Sequence, residues 1–354
     1  MRYPLAMTPS RLTPPELTTR LDALRDELAS DGYSGIHIVG YDDDVVYERG
    51  IGYADRAAEI AYTGETIVAI GSLTKQFTAA LFLILEQDGL ISAGDTLSRF
   101  FDDVPDDKRL ITMHHLLTHT AGLASDFADD YDPVATREWY VDAVLTSELQ
   151  STVGTTFAYS NAGFSMVAAV LEIVSGTPYD ELLREKVLDP AGLVDTGGVN
   201  RRWPAQRIAH GYTSGDDWGT AFDFPHAPDG PFWNLRGNGG LQSTAPDMLR
   251  WHTVLQQDRL LPAVARTRLE APFVPERDHY AAEDDVPYLY GYGWSTRITN
   301  RGTRCVRHDG GDDINFATLR RFPDEGVAFF LASNQAERQA PDVAPRVEAA
   351  IFSG

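Results

Sequence analysis

Lysine is nearly missing from this chain. Of 30 lysines and arginines, only Lys75, Lys108 and Lys186 are lysines, and they stand against 52 acidic residues. The resulting formal net charge of -22 repels nucleic acid and anionic lipid and excludes them as expected partners, while saying nothing about the fold. Few lysines with abundant acid has two readings, adaptation to high salt or a GC-rich genome; loss of structure on removing salt would favour the first. Cysteine is represented by Cys305 alone, which excludes an internal disulfide and fits a reducing compartment. No run of about 18 apolar residues occurs, so no membrane insertion is expected. The segment from Met1 to Arg20 has no apolar signal core and is interrupted by Pro4, Pro14 and Pro15. A cytoplasmic location is therefore expected, unless a leader has already been removed. There is no internal repeat and no low-complexity stretch.

What is present is ordinary globular material, 43% hydrophobic and 23% charged over 354 residues, enough for two lobes. Leu17, Leu21, Leu24 and Leu28 recur at helical spacing, predicting a helix over 14–30 that Asp31-Gly32 ends. A hairpin is expected from 36–41 and 45–48, with 50–54 extending the meander. Helices are predicted at 72–87, 134–149, 162–174, 179–187 and 244–257, and a closing helix at 341–352. Residues 203–240, rich in Gly, Pro, His and aromatics, read as a loop that lines something. Strands return at 290–296, 304–308, 315–322 and 327–333. The expected fold is α/β of the α+β type. One antiparallel sheet is built from N- and C-terminal segments and flanked by helices (1–90 with 246–354). A mostly helical lobe (91–245) is inserted, and the active site lies between the two.

The stretch that organises the rest is Gly71-Ser72-Leu73-Thr74-Lys75, followed at once by the apolar positions Phe77, Leu81, Ile84 and Leu85. Ser72 begins the helix, and Lys75, three residues on, shares its face and can reach the hydroxyl. This is one of the few arrangements in which Ser acts as a nucleophile without a His base; the alternative is a cap and a solvated lysine. Two further motifs give it meaning. Tyr159-Ser160-Asn161 precedes a helix, and Arg307-His308-Asp309-Gly310-Gly311 closes a strand.

With these three motifs, and with His115 to Leu123, Gly239 to Ala245 and Phe329 to Asn334 around them, the chain resembles the serine β-lactamase and penicillin-recognising superfamily. The branch it looks like holds class C β-lactamases, D-alanyl-D-alanine carboxypeptidases, D-amino-acid peptidases and β-lactamase-like esterases. The likeness covers roughly residues 15 to 350 and implies a β-lactamase/transpeptidase-like fold and cofactor-free chemistry. Ser72 would attack a carbonyl and form an acyl-enzyme. Its proton goes to Lys75 if that amine is neutral, or to Tyr159 if its phenolate is stabilised; in the family the two act as a coupled pair. Asn161 would orient Lys75 and hold the substrate's acyl-side amide. Tyr159 and Asn161 read alternatively as an aromatic anchor and a helix cap. His308 stands where many relatives have the Lys of Lys-Thr-Gly and can hydrogen-bond toward Tyr159 and the leaving group; otherwise it is a structural strand-end histidine. Gly310 and Gly311 would let a substrate backbone lie along the strand edge. The resemblance places the oxyanion hole at the N–H groups of Ser72 and Gly311.

Asp309 departs from the pattern, since relatives usually carry a hydroxyl there beside a substrate carboxylate. A fixed negative charge disfavours such a substrate, although Arg307 can neutralise it; Asp312 and Asp313 follow. Ile314-Asn315, where a Gly before Phe is more familiar, leaves the shape of that loop open. His115 and His119 have the four-residue spacing of zinc ligands but lack the Glu and a third ligand, so no metal is expected. Tyr212, Trp218, Phe222, Phe224, Phe232 and Trp233 either line an acyl pocket or pack the loop. Cys305 reads as packed rather than reactive. The leading expectation is a serine hydrolase acting on small esters or amides. A D-amino-acid peptidase or D-Ala-D-Ala carboxypeptidase with weak β-lactamase activity is the second, and a non-catalytic scaffold or binding protein the third. Oligomeric state is not legible.

Overall fold

The computed structural model describes residues 11–133, 135–225, 232–276, 287–312, 314–335 and 342–352. Helix α1 (Pro14–Ser30) buries the leucine stripe read from the sequence, Leu17, Leu21, Leu24 and Leu28. Its first turn is tied by the Glu16 carboxylate, which accepts the Thr13 N–H at 3.0 Å. Strands β1 (Gly35–Tyr41) and β2 (Asp44–Ile51) form the expected hairpin. The chain then leaves the sheet at Gly52, whose φ is +65°, and Tyr53–Asp55 pairs with Ile60–Ala61 instead of prolonging the meander.

The helical portion follows: α2 (Thr74–Gln87), α3 (Met113–Leu117), α4 (Arg137–Thr146), α5 (Asn161–Ser175), α6 (Tyr179–Leu183), α7 (Ala245–Gln256) and α8 (Ala263–Leu269). Helix α4 is shorter than predicted because Thr136 caps it, accepting the Trp139 N–H at 3.3 Å; Val134 lies outside the described residues. The predicted 179–187 helix widens after α6 into a π-helical turn at Arg184–Leu188. The predicted loop over 203–240 contains a hairpin, Gly211–Thr213 with Asp216–Gly219, turned by Ser214 and Gly215, both with positive φ. Short α3 and α8 have too few turns to show a period and are missing from the sequence prediction.

The remaining strands of the main sheet are β3 (Val274–Pro275), β4 (Leu289–Tyr290), β5 (Ser295–Ile298), β6 (Arg304–Gly311), β7 (Phe316–Phe322) and β8 (Val327–Ser333). The predicted strand over 290–296 splits because Gly293, at φ +75°, brings its backbone against α2; a Cβ there would sit 2.7 Å from the Lys75 carbonyl oxygen. The chain closes with α9 (Val343–Phe352), two residues later than predicted; Pro341 lies outside the described residues.

The main sheet has the order β2-β1-β8-β7-β6-β5-β4-β3 and is antiparallel throughout. Both its faces are covered, which is why Val327–Ser333 reads as an unbroken apolar run. Val327, Phe329 and Leu331 pack with α1 and α9, while Ala328, Phe330 and Ala332 join the opposite core. That second core is continuous, running from Ile36 and Leu319 on the sheet through Phe77 and Leu81 to Phe164 and Leu183. Helix α2 is thus packed between the sheet and the helical portion, with its first turn held at their junction. Among the described residues no helix is long and apolar enough to cross a membrane.

Candidate active site

Ser72 sits in a 3-10 turn, Gly71–Leu73, that leads into α2. The turn is pressed against β6. A Cβ on Gly71, whose φ is +50°, would lie 2.7 Å from the Gly311 nitrogen, and one on Gly310 would lie 2.1 Å from the Ile70 carbonyl oxygen and 2.8 Å from the Ser72 nitrogen. Gly310 is therefore required by the protein's own backbone. This is a reason separate from the expected one of clearing space for a substrate. Gly311 is less crowded, with the nearest atom, the Asn315 carbonyl oxygen, 3.1 Å from an added Cβ. The close approach carries the Ser72 and Gly311 N–H groups into one neighbourhood.

Lys75 is completely buried. Its Nζ lies 2.9 Å from Ser72 Oγ, 2.7 Å from Asn161 Oδ1 and 3.0 Å from the Asn238 carbonyl oxygen. Burial drives the amine well below the ordinary lysine range, and Asp126 and Asp130 pull it part of the way back. Asn161 is the first residue of α5, whose N-cap Ser160 accepts the Gly163 N–H at 3.1 Å and donates to the Ala124 carbonyl at 2.7 Å. The Asn161 amide is oriented from its other end, where Nδ2 donates to Asp126 Oδ1 at 2.8 Å. Asn238 and Asp126 were not legible in the sequence. The first acts through its backbone, and the second lies far along the chain from its partner without a motif.

Tyr159 is buried against this cluster, with the Lys75 nitrogen 4.7 Å from its ring centroid. Burial pushes its phenol far above the ordinary range, a hydrogen bond with Ser72 opposes this, and Glu276, Asp126 and Asp309 add to it. His119, four residues from His115, packs against Tyr159. Its ring lies 4.3 Å from that of Tyr159, and its Nδ1 accepts the Ser160 N–H at 3.0 Å. His115 instead accepts the Thr112 N–H at the start of α3. His308 reaches Tyr290 Oη through Nε2 at 3.0 Å and the Asp309 carbonyl through Nδ1 at 2.6 Å. A carbonyl only accepts, so Nδ1 carries the proton and, in the neutral ring, Nε2 accepts from Tyr290. The His308 ring centroid is 6.2 Å from that of Tyr159.

Asp309 is moved from its expected place beside the substrate. Its side chain is buried, accepts from Thr318 Oγ1 and lies 3.6 Å from the Arg307 guanidinium. Burial pushes its carboxyl up, but Arg307, Arg320 and the Thr318 hydrogen bond outweigh this and hold it below the usual carboxylate range. The acids that line the cleft over Ser72 are Asp130 and Asp312. Burial, then Asp126 and Asp312, push the Asp130 carboxyl up to about 6. Asp312 also shapes the loop before Phe316, accepting the Ile314 N–H at 2.7 Å; Asp313 lies outside the described residues. Opposite stands an apolar wall of Tyr131, Val199, Phe232 and Leu235. Of the six aromatics named from the sequence, only Phe232 is among the residues lining this cleft. Trp218 and Phe224 stack at 4.8 Å and support Tyr131, and Tyr212 accepts the Arg56 N–H. Cys305 is buried, its thiol pushed up to about 12.

A family model for Beta-lactamase matches residues 22–351, and the chain belongs to that family. It is 26% identical over 320 residues to penicillin-binding protein 4* of Bacillus subtilis, covering 86% of this chain and 69% of the relative. It is 28% identical over 344 residues to the D-alanyl-D-alanine-carboxypeptidase/endopeptidase AmpH of Escherichia coli, covering 90% and 85%. The solved structure of a D-amino acid amidase from Ochrobactrum anthropi complexed with D-phenylalanine has a TM-score of 0.80 at 21% identity, covering 95% of this chain and 98% of that one. That last likeness is one of fold. The family assignment rests on the family model, which spans most of the chain.

Proposed function

We propose that this member of the Beta-lactamase family hydrolyses small esters or amides through an acyl-Ser72 intermediate, with Lys75 taking the first proton. The observation that carries this is the triple contact of the buried Lys75 amine. A neutral amine has two N–H donors and one lone pair. Asn161 Oδ1 and the Asn238 carbonyl accept the two donors, which turns the lone pair to the Ser72 hydroxyl 2.9 Å away. As Ser72 Oγ bonds to the substrate carbonyl carbon, its proton passes to Lys75. The N–H groups of Ser72 and Gly311 stabilise the oxyanion, commonly the largest catalytic contribution.

Tyr159 serves as the neutral partner. Its phenol is held protonated by burial and by surrounding acids, so it relays a proton to the leaving group and is replenished from Lys75. His308, its tautomer set by the Asp309 carbonyl, supports the leaving-group side. Water then attacks the acyl carbon and restores Ser72.

The cleft also bears on substrate charge. None of the described residues lining it is lysine or arginine, and Asp130 and Asp312 stand in it. A substrate ending in a carboxylate is disfavoured, while a neutral ester or an amide with a free amine fits. The second specific reading is therefore a D-amino-acid amide or peptide hydrolase that accepts an amine.

A panel of an activated ester, a D-alanyl anilide, nitrocefin and a D-Ala-D-Ala peptide, read as turnover together with intact mass, tests the reading. Turnover of the ester or the anilide is expected, with an acyl adduct lost in Ser72→Ala. Tyr159→Phe should slow acylation by about 10²-fold or more. Nitrocefin turnover matching the best ester would overturn the substrate assignment. The absence of any adduct on Ser72 would leave a binding protein.

A further inference from the structure

The apolar wall of the cleft is one side chain thick. Val199, Phe232, Leu235 and Gly240 line the Ser72 cleft on one side and a second, small hollow of about 20 Å³ on the other. The second hollow is bounded further by Thr74, Tyr179, Asp180, Gly198, Arg236 and Leu241. Phe232 is the largest piece of the partition. Its backbone has φ +40°, an outlier for a bulky residue, and such strain persists only where the surroundings impose it. Here Tyr131 meets the ring edge-on at 5.0 Å and 82°, and is itself stacked on Phe224 at 4.8 Å. Val199, Ala221 and Phe232 form a small apolar cluster of their own.

Building on the acyl-Ser72 reading, we infer that Phe232 is the specificity-determining partition of the acyl subsite, and that the hollow behind it is a latent subsite for the end of an unbranched aliphatic acyl chain. In the native chain the ring stops the acyl group short, so small acyl groups are preferred. With the ring removed, the space it vacates joins the cleft to the hollow, with Val199 and Leu235 as the apolar side of the passage. Gly198 lies at its far side. The atoms nearest to a Cβ there are side-chain oxygens of Asn200 and Asp180, at 3.3 Å, and not backbone, so a larger residue at 198 displaces side-chain ends and takes up space in the hollow.

The test compares kcat/KM for p-nitrophenyl octanoate and p-nitrophenyl acetate. In Phe232→Ala the octanoate-to-acetate ratio should rise at least about tenfold over the native chain, since each methylene gaining an apolar site is worth about that much. Adding Gly198→Leu should return the ratio toward the native value. Phe232→Leu, a gentler change for use if the Ala variant does not fold, should move the ratio the same way. A ratio within about twofold of native in a folded Phe232 variant would overturn the inference. A calorimetric comparison needs no catalysis: octanamide should bind Ser72→Ala/Phe232→Ala at least about fivefold more tightly than Ser72→Ala, and equal affinities would overturn the partition. If the native chain turns over no ester, the hydrolase reading fails, and the octanamide measurement still decides the role of Phe232.

Discussion

At the scale of single residues, the proposed chemistry rests on keeping one amine uncharged. Lys75 is packed where its charged form is penalised by burial, and the opposing pull comes from Asp126 and Asp130 on the segment before α4. Ser72, Asn161, Asn238 and Tyr159 complete its surroundings without adding a charge. If Lys75 must be neutral to act, activity rises as pH passes its pKa, and each neighbouring carboxylate moves that limb upward. Asp130→Asn should therefore shift the acidic limb of the kcat/KM profile to lower pH, by about half to one unit; an upward shift would contradict the charge assignment. The same substitution has a stability consequence. Asp130 titrates at about 6 in the folded chain against an ordinary value of 3.8. The folded state thus holds this proton more tightly than the unfolded one. Its contribution is fully present below pH 4 and is lost as pH rises through 6. Asp130→Asn should be more stable than the native chain at pH 7, by at most about 3 kcal/mol, and the gap should close at pH 4 in thermal melts.

At the scale of elements, the decisive contact is between the Gly71–Leu73 turn and β6. Antiparallel pairing of β6 with β7, Gly310 opposite Ala317 and Gly311 opposite Phe316, fixes where the strand edge lies. The turn is then packed on it with no room for a side chain at Gly310. Gly310→Ala should lower stability by about 2 kcal/mol or more, as overpacking against fixed backbone does, and should depress kcat by displacing the Ser72 N–H. Gly311→Ala, with 3.1 Å to its nearest neighbour, should cost distinctly less stability. Equal melting temperatures for the two variants would mean that the turn, rather than the strand, gives way. The motifs at both sides of this contact were readable from the sequence. That the two glycine-bearing segments need each other was not, because 235 or more residues separate Gly71 from the β6 motif and only the sheet brings them together.

At the scale of the whole molecule, the acidic surface and the buried lysines are two sides of one composition. Lys75 and Lys108 are both buried, Lys108 donating to the Ser147 carbonyl at 2.5 Å, so arginine supplies nearly all the exposed positive charge. Many of those arginines are paired, as Arg207 is with Asp195 at 2.8 Å and Arg304 with Asp324 at 2.8 Å. Exposed pairs of this kind are each worth about 0–1 kcal/mol, whereas a net charge of -22 repels itself over the whole surface. Adding salt screens both, and the repulsion is the larger quantity. The melting temperature should therefore rise between about 10 mM and 1 M KCl, where the screening length falls roughly tenfold. A fall would show that the ion pairs dominate, and unfolding at the low-salt end would favour adaptation to high salt.

The sequence by itself determined most of the element types and the antiparallel sheet drawn from both ends of the chain, and it pointed to Ser72, Lys75, Tyr159, Asn161 and His308 as the residues the proposed mechanism uses. Helical and strand periods are local, and a nucleophile followed by an amine one turn later is a local pattern. Tertiary structure alone decided the rest. It turned Asp309 into an internal partner of Arg307 and Thr318, placed Asp130 and Asp312 in the cleft, and gave His119 to Tyr159. It also supplied the Asn238 carbonyl to Lys75 and set Phe232 between the Ser72 cleft and the hollow behind it. These depend on which side of a strand or loop faces the cleft and on backbone atoms that carry no residue identity, so no spacing along the chain encodes them.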